Sequence, residues 1–272
     1  MVRLPQTGLV RVDLRIDVRD AMGANILNTA AEHARPLLEQ ASGGRALMCI
    51  LGNAAEERRA GARFALPLEA LPPQARPGGG VFSRRELARR IAAAGELARE
   101  DPQRAVTHNK GIMNGITSLA LATMNDARAV EAAAHAWAAR DGRYRSLSAY
   151  RFDGERLEGE LELPLPFAAV GGAVGFHPAS RLALKVLGRP DARRLARIAA
   201  AVGLAQNFAA LLALVGGGIQ RGHMRYHAVR LAYQAGARGP EIRRLAERLA
   251  ERGVYSRSDA ARELQRLREG AP

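Results

Sequence analysis

The sequence is poor in three residue types, and each shortage excludes or disfavours a kind of protein. Cys49 is the single cysteine, so an intramolecular disulfide and a metal cage built from cysteines are both excluded. Aromatic residues make up 4% of the chain, which is little for a protein that stacks nucleic-acid bases on aromatic rings. Lysine occurs at Lys110 and Lys185 alone, so the formal net charge of +14 rests on 39 arginines. We expect a protein of the reducing cytoplasm whose positive charge is almost entirely guanidinium.

The arginines are spread over several predicted helix faces instead of forming one stripe, as Arg84, Arg89 and Arg244 illustrate. A nucleic-acid-binding protein gathers its positive charge on one surface, so this distribution predicts no nucleic-acid partner. A basic protein with salt-dependent affinity for DNA is the alternative. Apolar residues reach 47% of the chain, which is enough for a sizeable core and excludes wholesale disorder.

The sequence predicts neither an export signal nor a membrane-spanning segment. Arg3, Arg11 and Asp13 interrupt the N-terminus before an apolar signal region could form. Residues 198–219 carry no charge and are long enough to span a bilayer, but Gln206 and Asn207 lie in the middle of this run. The polar pair favours a buried helix of a cytoplasmic protein.

Apolar periodicity predicts both strands and helices in the first part of the chain. Residues 9–18 alternate apolar with charged side chains and are predicted to form a half-buried strand. Asp20 can cap a following helix, and residues 46–51 are predicted to form a short buried strand. The first turn lacks a GxGxxG pattern, so a Rossmann unit is not predicted.

The middle of the chain predicts a capped helix and a hairpin. Ser83 and Glu86 form a capping box for a helix that Pro102 is expected to close. Residues 150–163 predict a β-hairpin around the dipeptide Asp153-Gly154. After Gly171 the chain is predicted to be mainly helical.

Four short segments contain more polar residues and glycines than packing requires: 20–25 (DAMGAN), 107–115 (THNKGIMNG), 125–126 (ND) and 220–227 (QRGHMRYH). The second is predicted to be a loop, and it holds Lys110 in a chain that otherwise uses arginine. A buried lysine can give up its proton and can stabilise a developing alkoxide, whereas an arginine stays charged. Chance retention of the lysine is the alternative.

The first and last of these segments each allow two interpretations. Gly23 lies in the first turn of the predicted helix, where free backbone N–H groups could bind a phosphate, or the segment is an ordinary capped helix start. His223 and His227 share a helix face, but no third ligand or adjacent glutamate completes a zinc pattern. A general acid is therefore favoured, and no metal site is predicted.

In sequence and in order, these segments resemble the motifs of bacterial class II hydroxymethylglutaryl-CoA reductases. Residues 203–207 (GLAQN) and the pair Gly171-Gly172 with His177-Pro178 also match, and the similarity covers essentially the whole chain. The resemblance implies an oxidoreductase that interconverts hydroxymethylglutaryl-CoA with mevalonate and coenzyme A by two hydride transfers. It further implies NAD or NADP as cofactor and a homodimer or higher homo-oligomer, because the family's active site lies at a subunit interface.

The resemblance also assigns roles to individual residues. Lys110 would stabilise the oxyanion of the hemithioacetal and then of the aldehyde, Asp126 would hold and tune Lys110, and His223 would protonate the departing thiolate of coenzyme A. The substrate-binding residues implied are Arg104 and Asn114 at the carboxylate end, with Gln206 and His227 near coenzyme A. The cofactor-binding residues implied are Asp20, Met22, Gly23, Ala24, Asn25 and Asn53.

The family fold implies an α+β protein with three parts. Residues 1–55 would be a partial, ferredoxin-like cofactor-binding domain, residues 56–216 a larger α/β substrate-binding domain, and residues 217–272 a helical C-terminal lid. Family sequences place a long segment with a catalytic glutamate before the cofactor motif, where this chain has 19 residues. We therefore expect an N-terminally truncated chain that turns over poorly alone and exposes a sheet edge and a core face. A non-catalytic remnant that binds CoA esters or complements a separate N-terminal piece is the alternative.

Two local departures from the family pattern also carry expectations. Met124 stands where the family usually has glycine before Asn125-Asp126, and it is expected to crowd Lys110. Residues 174–176 (VGF) replace a more polar run before His177-Pro178, and they are expected to alter the path of coenzyme A.

Overall fold

A computed structural model describes residues 1–76, 79–217 and 219–269, with the side chains of residues 219–226 outside that description. Over these residues the chain is a mixture of helices and strands. The strands are β1 Val2–Arg3, β2 Val10–Arg11, β3 Arg59–Pro67, β4 Ser148–Phe152 and β5 Arg156–Pro164. The helices are α1 Ala24–Ser42, α2 Arg84–Glu100, α3 Pro102–Ala122, α4 Ala127–Ala138, α5 Pro178–Val186, α6 Ala192–Val215, α7 Ile219–Gln234, α8 Pro240–Arg252 and α9 Arg257–Arg268.

The main sheet has the strand order β3-β5-β4, so the central strand is β5. Along β5 the leucines Leu157, Leu161 and Leu163 are buried, while the glutamates between them are exposed. This alternation places one face of the strand on the core and the other in solvent. The predicted hairpin around Asp153-Gly154 is thereby confirmed.

The strand prediction for residues 9–18 is largely wrong. Strand β2 covers Val10–Arg11 and pairs antiparallel with β1, and the rest of the segment is irregular. Val12, Leu14 and Ile16 are 42%, 44% and 40% exposed. Within the described part of the chain no further strand pairs with this segment, and a two-stranded ribbon is marginal in water. These apolar side chains are therefore exposed, and the sheet edge and core face expected of this part of the chain stay a prediction.

The strand prediction for residues 46–51 is also wrong, because this segment is irregular. Leu47, Met48 and Ile50 are exposed. The segment is held by side chains of α1 instead of a neighbouring strand: Asn28 Oδ1 accepts from the backbone N–H of Leu51 at 2.8 Å. A short apolar run does not form a strand when it has no partner strand.

The predicted loop at residues 107–115 is a helix. Pro102 does not simply close the preceding helix, since α2 ends at Glu100 and Pro102 begins α3. Proline at a first helical position loses no hydrogen bond, because that N–H has no partner within the helix. Asp101 caps α3 by accepting from the N–H of Gln103 at 3.0 Å. The whole segment around Lys110 consequently has a fixed helical geometry.

Helix α6 confirms the helix predicted in the charge-free run. It is long and apolar enough to cross a membrane by length and composition alone. Leu195, Leu204 and Leu211 are buried within the protein, and Asn207 is buried and hydrogen-bonded. These contacts pack one face of α6 against the core, while Val202 and Leu214 are exposed.

The chain divides into two compact units whose segments alternate along the sequence. The first comprises Met1–Ala65, Gly95–Arg151 and Leu157–Phe208, and the second comprises Leu66–Ala94, Phe152–Arg156 and Ala209–Pro272. In the second unit α7, α8 and α9 enclose their own core, to which Leu231, Leu245 and Leu249 belong. The three predicted domains, with boundaries after residues 55 and 216, stay a prediction.

Candidate functional site

Helix α3 has one buried face and one exposed face, and the two faces carry different residues. His108, Asn109 and Ile112 are buried, whereas Lys110 and Asn114 are exposed. Residues four apart lie one above the other on a helix, so Lys110 and Asn114 form a polar pair on the open side. The structure therefore brings these two predicted site residues together.

Arg104 lies earlier on the same helix and is half-buried. Burial lowers the pKa of its guanidinium from the ordinary value, because the charged form loses hydration. Arginine remains charged even so, and a partly desolvated guanidinium is a strong partner for a carboxylate.

Helix α6 approaches α3 closely at two glycines. A Cβ on Gly115 would lie 3.0 Å from Cγ1 of Val202 and 3.2 Å from Cβ of Gln206. A Cβ on Gly203 would lie 2.8 Å from Cδ1 of Ile116. Gln206 is itself exposed, so its amide lies at the surface beside the turn of α3 that carries Asn114.

Asp126 is placed at the start of α4 and is exposed. Its Oδ1 accepts from the backbone N–H of Ala129 at 3.0 Å, which caps the helix. No ion pair within 4.0 Å joins Asp126 to Lys110 in the described chain. In the single chain Asp126 thus acts as a helix cap. The expected contact between Asp126 and Lys110 is not formed among the described residues.

The loop between α3 and α4 is fixed by the buried Asn125, for which the sequence predicted no contact although it belongs to the segment 125–126. Asn125 Oδ1 accepts from the N–H of Ala168 at 2.6 Å, and Asn125 Nδ2 donates to the carbonyl of Ala168 at 3.1 Å. The preceding residue, Met124, has a φ of 55°, in the left-handed region. That conformation favours glycine and accounts for the glycine expected at this position.

The predicted cofactor turn at residues 20–25 is anchored by hydrogen bonds of its first residue, Asp20. Asp20 Oδ1 accepts from the N–H of Ala192, the first residue of α6, at 2.9 Å. The carbonyl of Asp20 accepts from the N–H of Ala169 at 2.9 Å. The carboxylate of Asp20 is therefore occupied as a helix cap in this structure, although the residue is only half-buried.

Gly23 allows the turn to enter α1. Its φ of 94° lies in the left-handed region, and a Cβ would stand 2.5 Å from Cγ1 of Val18. None of the described side chains caps α1, so backbone N–H groups at its start have no side-chain partner among them. An open concavity of about 510 Å³ follows along the helix, lined by Asn25, Ile26, Thr29, Ala30 and His33.

The other predicted cofactor residues differ in exposure. Met22 and Ala24 are half-buried beside Gly23, and Asn25 is exposed at the rim of the concavity. Asn53 is exposed in an irregular segment. The structure brings the residues of the 20–25 turn together, and among the described residues no hydrogen bond joins that turn to Asn53.

Arg58 is a residue that sequence reasoning missed. Its guanidinium donates to the carbonyls of Ala21 and Met22 at 3.2 and 3.1 Å and to the carbonyl of Phe167 at 2.6 Å. Burial lowers the pKa of Arg58, with the nearby charge of Asp17 acting in the opposite direction. Nothing in the sequence distinguishes Arg58 from the other arginines, because its three acceptors are backbone atoms.

A buried polar network lies behind the exposed face of α3. His108 Nε2 lies 2.7 Å from the hydroxyl of Ser148, and that hydroxyl donates to Oδ1 of Asn207 at 2.9 Å. The hydroxyl of Tyr150 donates to the same oxygen at 2.8 Å. The Nδ1 atom of His108 is buried and has no hydrogen-bond partner among the described residues.

Burial shifts the ionisation of two members of this network. Desolvation, assisted by the charge of Arg104, lowers the pKa of His108 to about 4, so the imidazole is neutral at physiological pH. Burial also raises the pKa of Tyr150 well above its usual value. The loop predicted around His108 gave no sign of this network, because its members are far apart in the chain.

The two histidines of α7 are described unequally. The side chain of His223 lies outside the described residues, so its predicted acid role has no geometry here. His227 is half-buried, its ring lies 6.3 Å from that of Tyr255, and its Nδ1 lies 3.3 Å from Nη2 of Arg230. Among the described residues there is no cluster of three histidine, cysteine, aspartate or glutamate side chains suited to a metal ion.

Comparison with known proteins gives a consistent result. A sequence profile of the family described as hydroxymethylglutaryl-coenzyme A reductase matches residues 2–228. The 3-hydroxy-3-methylglutaryl-coenzyme A reductase of Archaeoglobus fulgidus is 44% identical over 258 residues, which cover 94% of this chain and 56% of that protein. A probable enzyme of the same description from Borreliella burgdorferi is 38% identical over 230 residues, covering 85% of this chain and 52% of that one.

Solved structures agree with the sequence comparison. The class II 3-hydroxy-3-methylglutaryl-CoA reductase of Streptococcus pneumoniae bound to NADPH superposes with a TM-score of 0.69 at 47% identity. The superposition covers 93% of this chain and 60% of that chain. The chain thus spans about half the length of the curated relatives that it matches.

Proposed function

We propose, because the chain belongs to the hydroxymethylglutaryl-coenzyme A reductase family, that it interconverts hydroxymethylglutaryl-CoA with mevalonate and coenzyme A. The observation that carries the proposal is the exposed lysine of α3, Lys110, with Asn114 one turn further on and Gln206 beside it on α6. In the direction of reduction, the thioester accepts two hydrides and two protons, and the C–S bond to coenzyme A breaks. The products are an alcohol and a free thiol.

Lys110 would act on the oxygen that becomes negative when hydride reaches the carbonyl carbon. An ammonium group donates up to three hydrogen bonds from a compact charge, and such donors lower the energy of an oxyanion. Asp126 would hold this amine through a carboxylate–ammonium contact, which requires its side chain to leave the cap of α4. His223 would give a proton to the thiolate of coenzyme A as the hemithioacetal collapses.

The remaining polar residues would bind the two ends of the substrate. Arg104 and Asn114 would bind the terminal carboxylate, since a guanidinium and an amide can each donate to it. Gln206 and His227 would lie near coenzyme A. The half-burial of Arg104 supports this role. Burial takes hydration away from the guanidinium, and a bound carboxylate would compensate for that loss.

The start of α1 fits a nicotinamide dinucleotide, which would supply the hydride. Its N–H groups lack a side-chain cap, and backbone donors at a helix N-terminus bind phosphate groups well. A side chain at position 23 would distort this turn, because its Cβ would clash with the side chain of Val18. Met22, Ala24, Asn25 and Asn53 would contact the dinucleotide, and Asp20 would hold the turn against α6. NADPH is the form bound to the pneumococcal relative. A comparison of NADH with NADPH oxidation would distinguish the two cofactors.

Family membership supports further proposals about this chain. We propose a partial, ferredoxin-like cofactor domain in residues 1–55, a substrate domain in 56–216 and a helical lid in 217–272. We also propose a homodimer or higher homo-oligomer located in the cytoplasm. For these 272 residues expressed alone we propose weak turnover, because they hold three of the four side chains expected of the catalytic set.

The test uses the two lysines of the chain as a matched pair. Hydroxymethylglutaryl-CoA should bind to the 272-residue polypeptide in titration calorimetry, and NADH or NADPH oxidation should be slow but measurable. Lys110→Met should lower kcat by on the order of 100-fold, the usual loss when an oxyanion donor is removed. Lys185→Met, at the other exposed lysine, should leave kcat unchanged.

The outcomes are separable. Equal activity in Lys110→Met and in the parent would contradict the role of the lysine. Turnover as fast as that of the full-length relatives would contradict the proposed weakness of the isolated polypeptide. If neither the CoA ester nor either dinucleotide binds, the proposed function is wrong.

A further inference from the structure

The direction of the hydrogen bonds in the buried network follows from counting protons. The single hydroxyl proton of Ser148 is donated to Asn207 Oδ1, and Tyr150 donates its own proton to the same oxygen. The Ser148 oxygen must therefore accept from His108, so the imidazole carries its proton on Nε2. Nδ1 is then an unprotonated, buried acceptor without a partner in the described part of the chain.

This network joins three elements directly behind Lys110. It links α3 through His108, β4 through Ser148 and Tyr150, and α6 through Asn207. The neighbour of His108 on α3 reinforces the link: Asn109 Nδ2 donates to the carbonyl of Arg145 at 2.8 Å, and Asn109 Oδ1 accepts from the N–H of Leu147 at 2.9 Å.

These bonds fix the rotation of α3 about its axis. Two successive residues of the helix are tied to the chain around β4, and the next residue is Lys110 on the opposite side. A rotation of α3 that moved the lysine would have to break buried hydrogen bonds, and each broken bond leaves a polar group without a partner. Burying Nδ1 of His108 without a partner among the described residues costs free energy. The hydrogen bond between Nε2 and Ser148 is kept in spite of this cost.

We propose that His108, Ser148, Asn207 and Tyr150 form a positioning network that holds Lys110 in its orientation towards the acyl group. The inference rests on the proposed function, since Lys110 must meet the substrate for its orientation to matter. None of the four residues touches the substrate in this scheme. They act through α3, because a small displacement of this helix would move Lys110 away from the reacting carbonyl and slow the reaction.

The scarcity of lysine permits a direct measurement. A water-soluble amine-acetylating reagent labels Lys110 and Lys185, and mass spectrometry reads the two sites separately in one sample. In the parent chain, saturating hydroxymethylglutaryl-CoA should slow the labelling of Lys110 while Lys185 serves as the internal reference. This arm tests the proposed function.

The variants test the positioning network. Ser148→Ala and His108→Leu should lose most of the protection of Lys110, with kcat lower by on the order of 10- to 100-fold. His108→Gln should restore both, because its amide nitrogen can donate to Ser148 as Nε2 does. His135→Leu is the matched control at an exposed histidine whose Nδ1 contacts Tyr144, and it should behave as the parent does.

Each result has one meaning. If Lys110 is not protected in the parent, the proposed function fails before the network is reached. If the parent is protected and folded Ser148→Ala and His108→Leu are protected equally, the network does not position the lysine. Circular dichroism checks the fold, and should His108→Leu fail to fold, Ser148→Ala and Tyr150→Phe decide the question by the same criterion.

Discussion

At the scale of one residue, Met124 has a backbone conformation that disfavours any residue with a Cβ. Its φ of 55° places a residue with a Cβ in the left-handed region, between the end of α3 and the start of α4. The residue is 39% exposed, so it lies outside the core. The loop keeps its shape because Asn125 anchors it to Ala168 from both ends of the amide.

Replacing Met124 with glycine should therefore stabilise the protein. Glycine adopts positive φ without steric cost, and relief of the strain should raise the free energy of unfolding by about 1 kcal/mol. Urea denaturation followed by circular dichroism measures the change. Met124→Ala removes the same side chain but keeps the Cβ, so a gain as large in the alanine variant would contradict the explanation.

At the scale of the element, the contact between α3 and α6 depends on where glycine has been placed. Gly111 and Gly115 lie one turn apart on α3, yet a Cβ on Gly111 would meet no atom within 4 Å. The same atom on Gly115 would press on Val202, including its backbone oxygen at 3.2 Å. One glycine is thus required by helix packing, and the other is not.

These two glycines make a matched pair for mutation. Gly111→Ala should stabilise the protein by about 1 kcal/mol, because alanine is the better helix former. Gly115→Ala should be destabilising by about 1 kcal/mol or more, since the overpacking exceeds the gain in propensity. Thermal denaturation of both variants tests this, and a shift of the melting temperature in the same direction for both would refute the packing argument.

The elements also show which sequence signals were informative. The hairpin at residues 150–163 was predictable because its alternation and its Asp-Gly turn agree, and the structure has both. The helix at 107–115 was not, since two glycines and several polar residues are typical of loops, whereas here the glycines serve helix packing. The alternation at residues 9–18 predicted a strand, but a strand needs partners that this segment lacks among the described residues.

The candidate site was predictable to a similar extent. The scarcity of lysine singled out Lys110, whereas Asn114 was named through the family resemblance alone, and the helix that places both on one face was not predicted. Arg58, Ser148 and Asn207 could not be found in this way, because their roles depend on atoms distant in sequence. Long-range hydrogen bonds leave no local pattern to detect.

At the scale of the whole molecule, the neutral His108 makes folding stability depend on pH. Its pKa is about 4 in the folded protein and 6.5 as the ordinary value, so between these limits the unfolded chain binds more protons. Stability is therefore full above about pH 6.5 and falls as the pH is lowered towards 4, by about 3 kcal/mol in total. Glu241 stays charged in this window, because the side chain of Arg268 holds its pKa at about 2.

Denaturation in urea at a series of pH values should record this loss. His108→Gln lacks the titrating group, so its stability should fall less between pH 6.5 and 4 than that of the parent. His33→Gln, at an exposed histidine, provides the control and should follow the parent curve. Identical curves for parent and His108→Gln would show that the buried imidazole does not govern the acid limb.

The separate core of α7, α8 and α9 has a kinetic consequence. Its members, from Ala228 to Leu264, are close in sequence, so the helices can meet after the closure of short loops alone. The pairing of β3 with β5 must instead bring together residues about a hundred positions apart, which is entropically slower. During refolding we expect the C-terminal helices to acquire amide protection first, on a sub-second timescale, and the three-stranded sheet to follow.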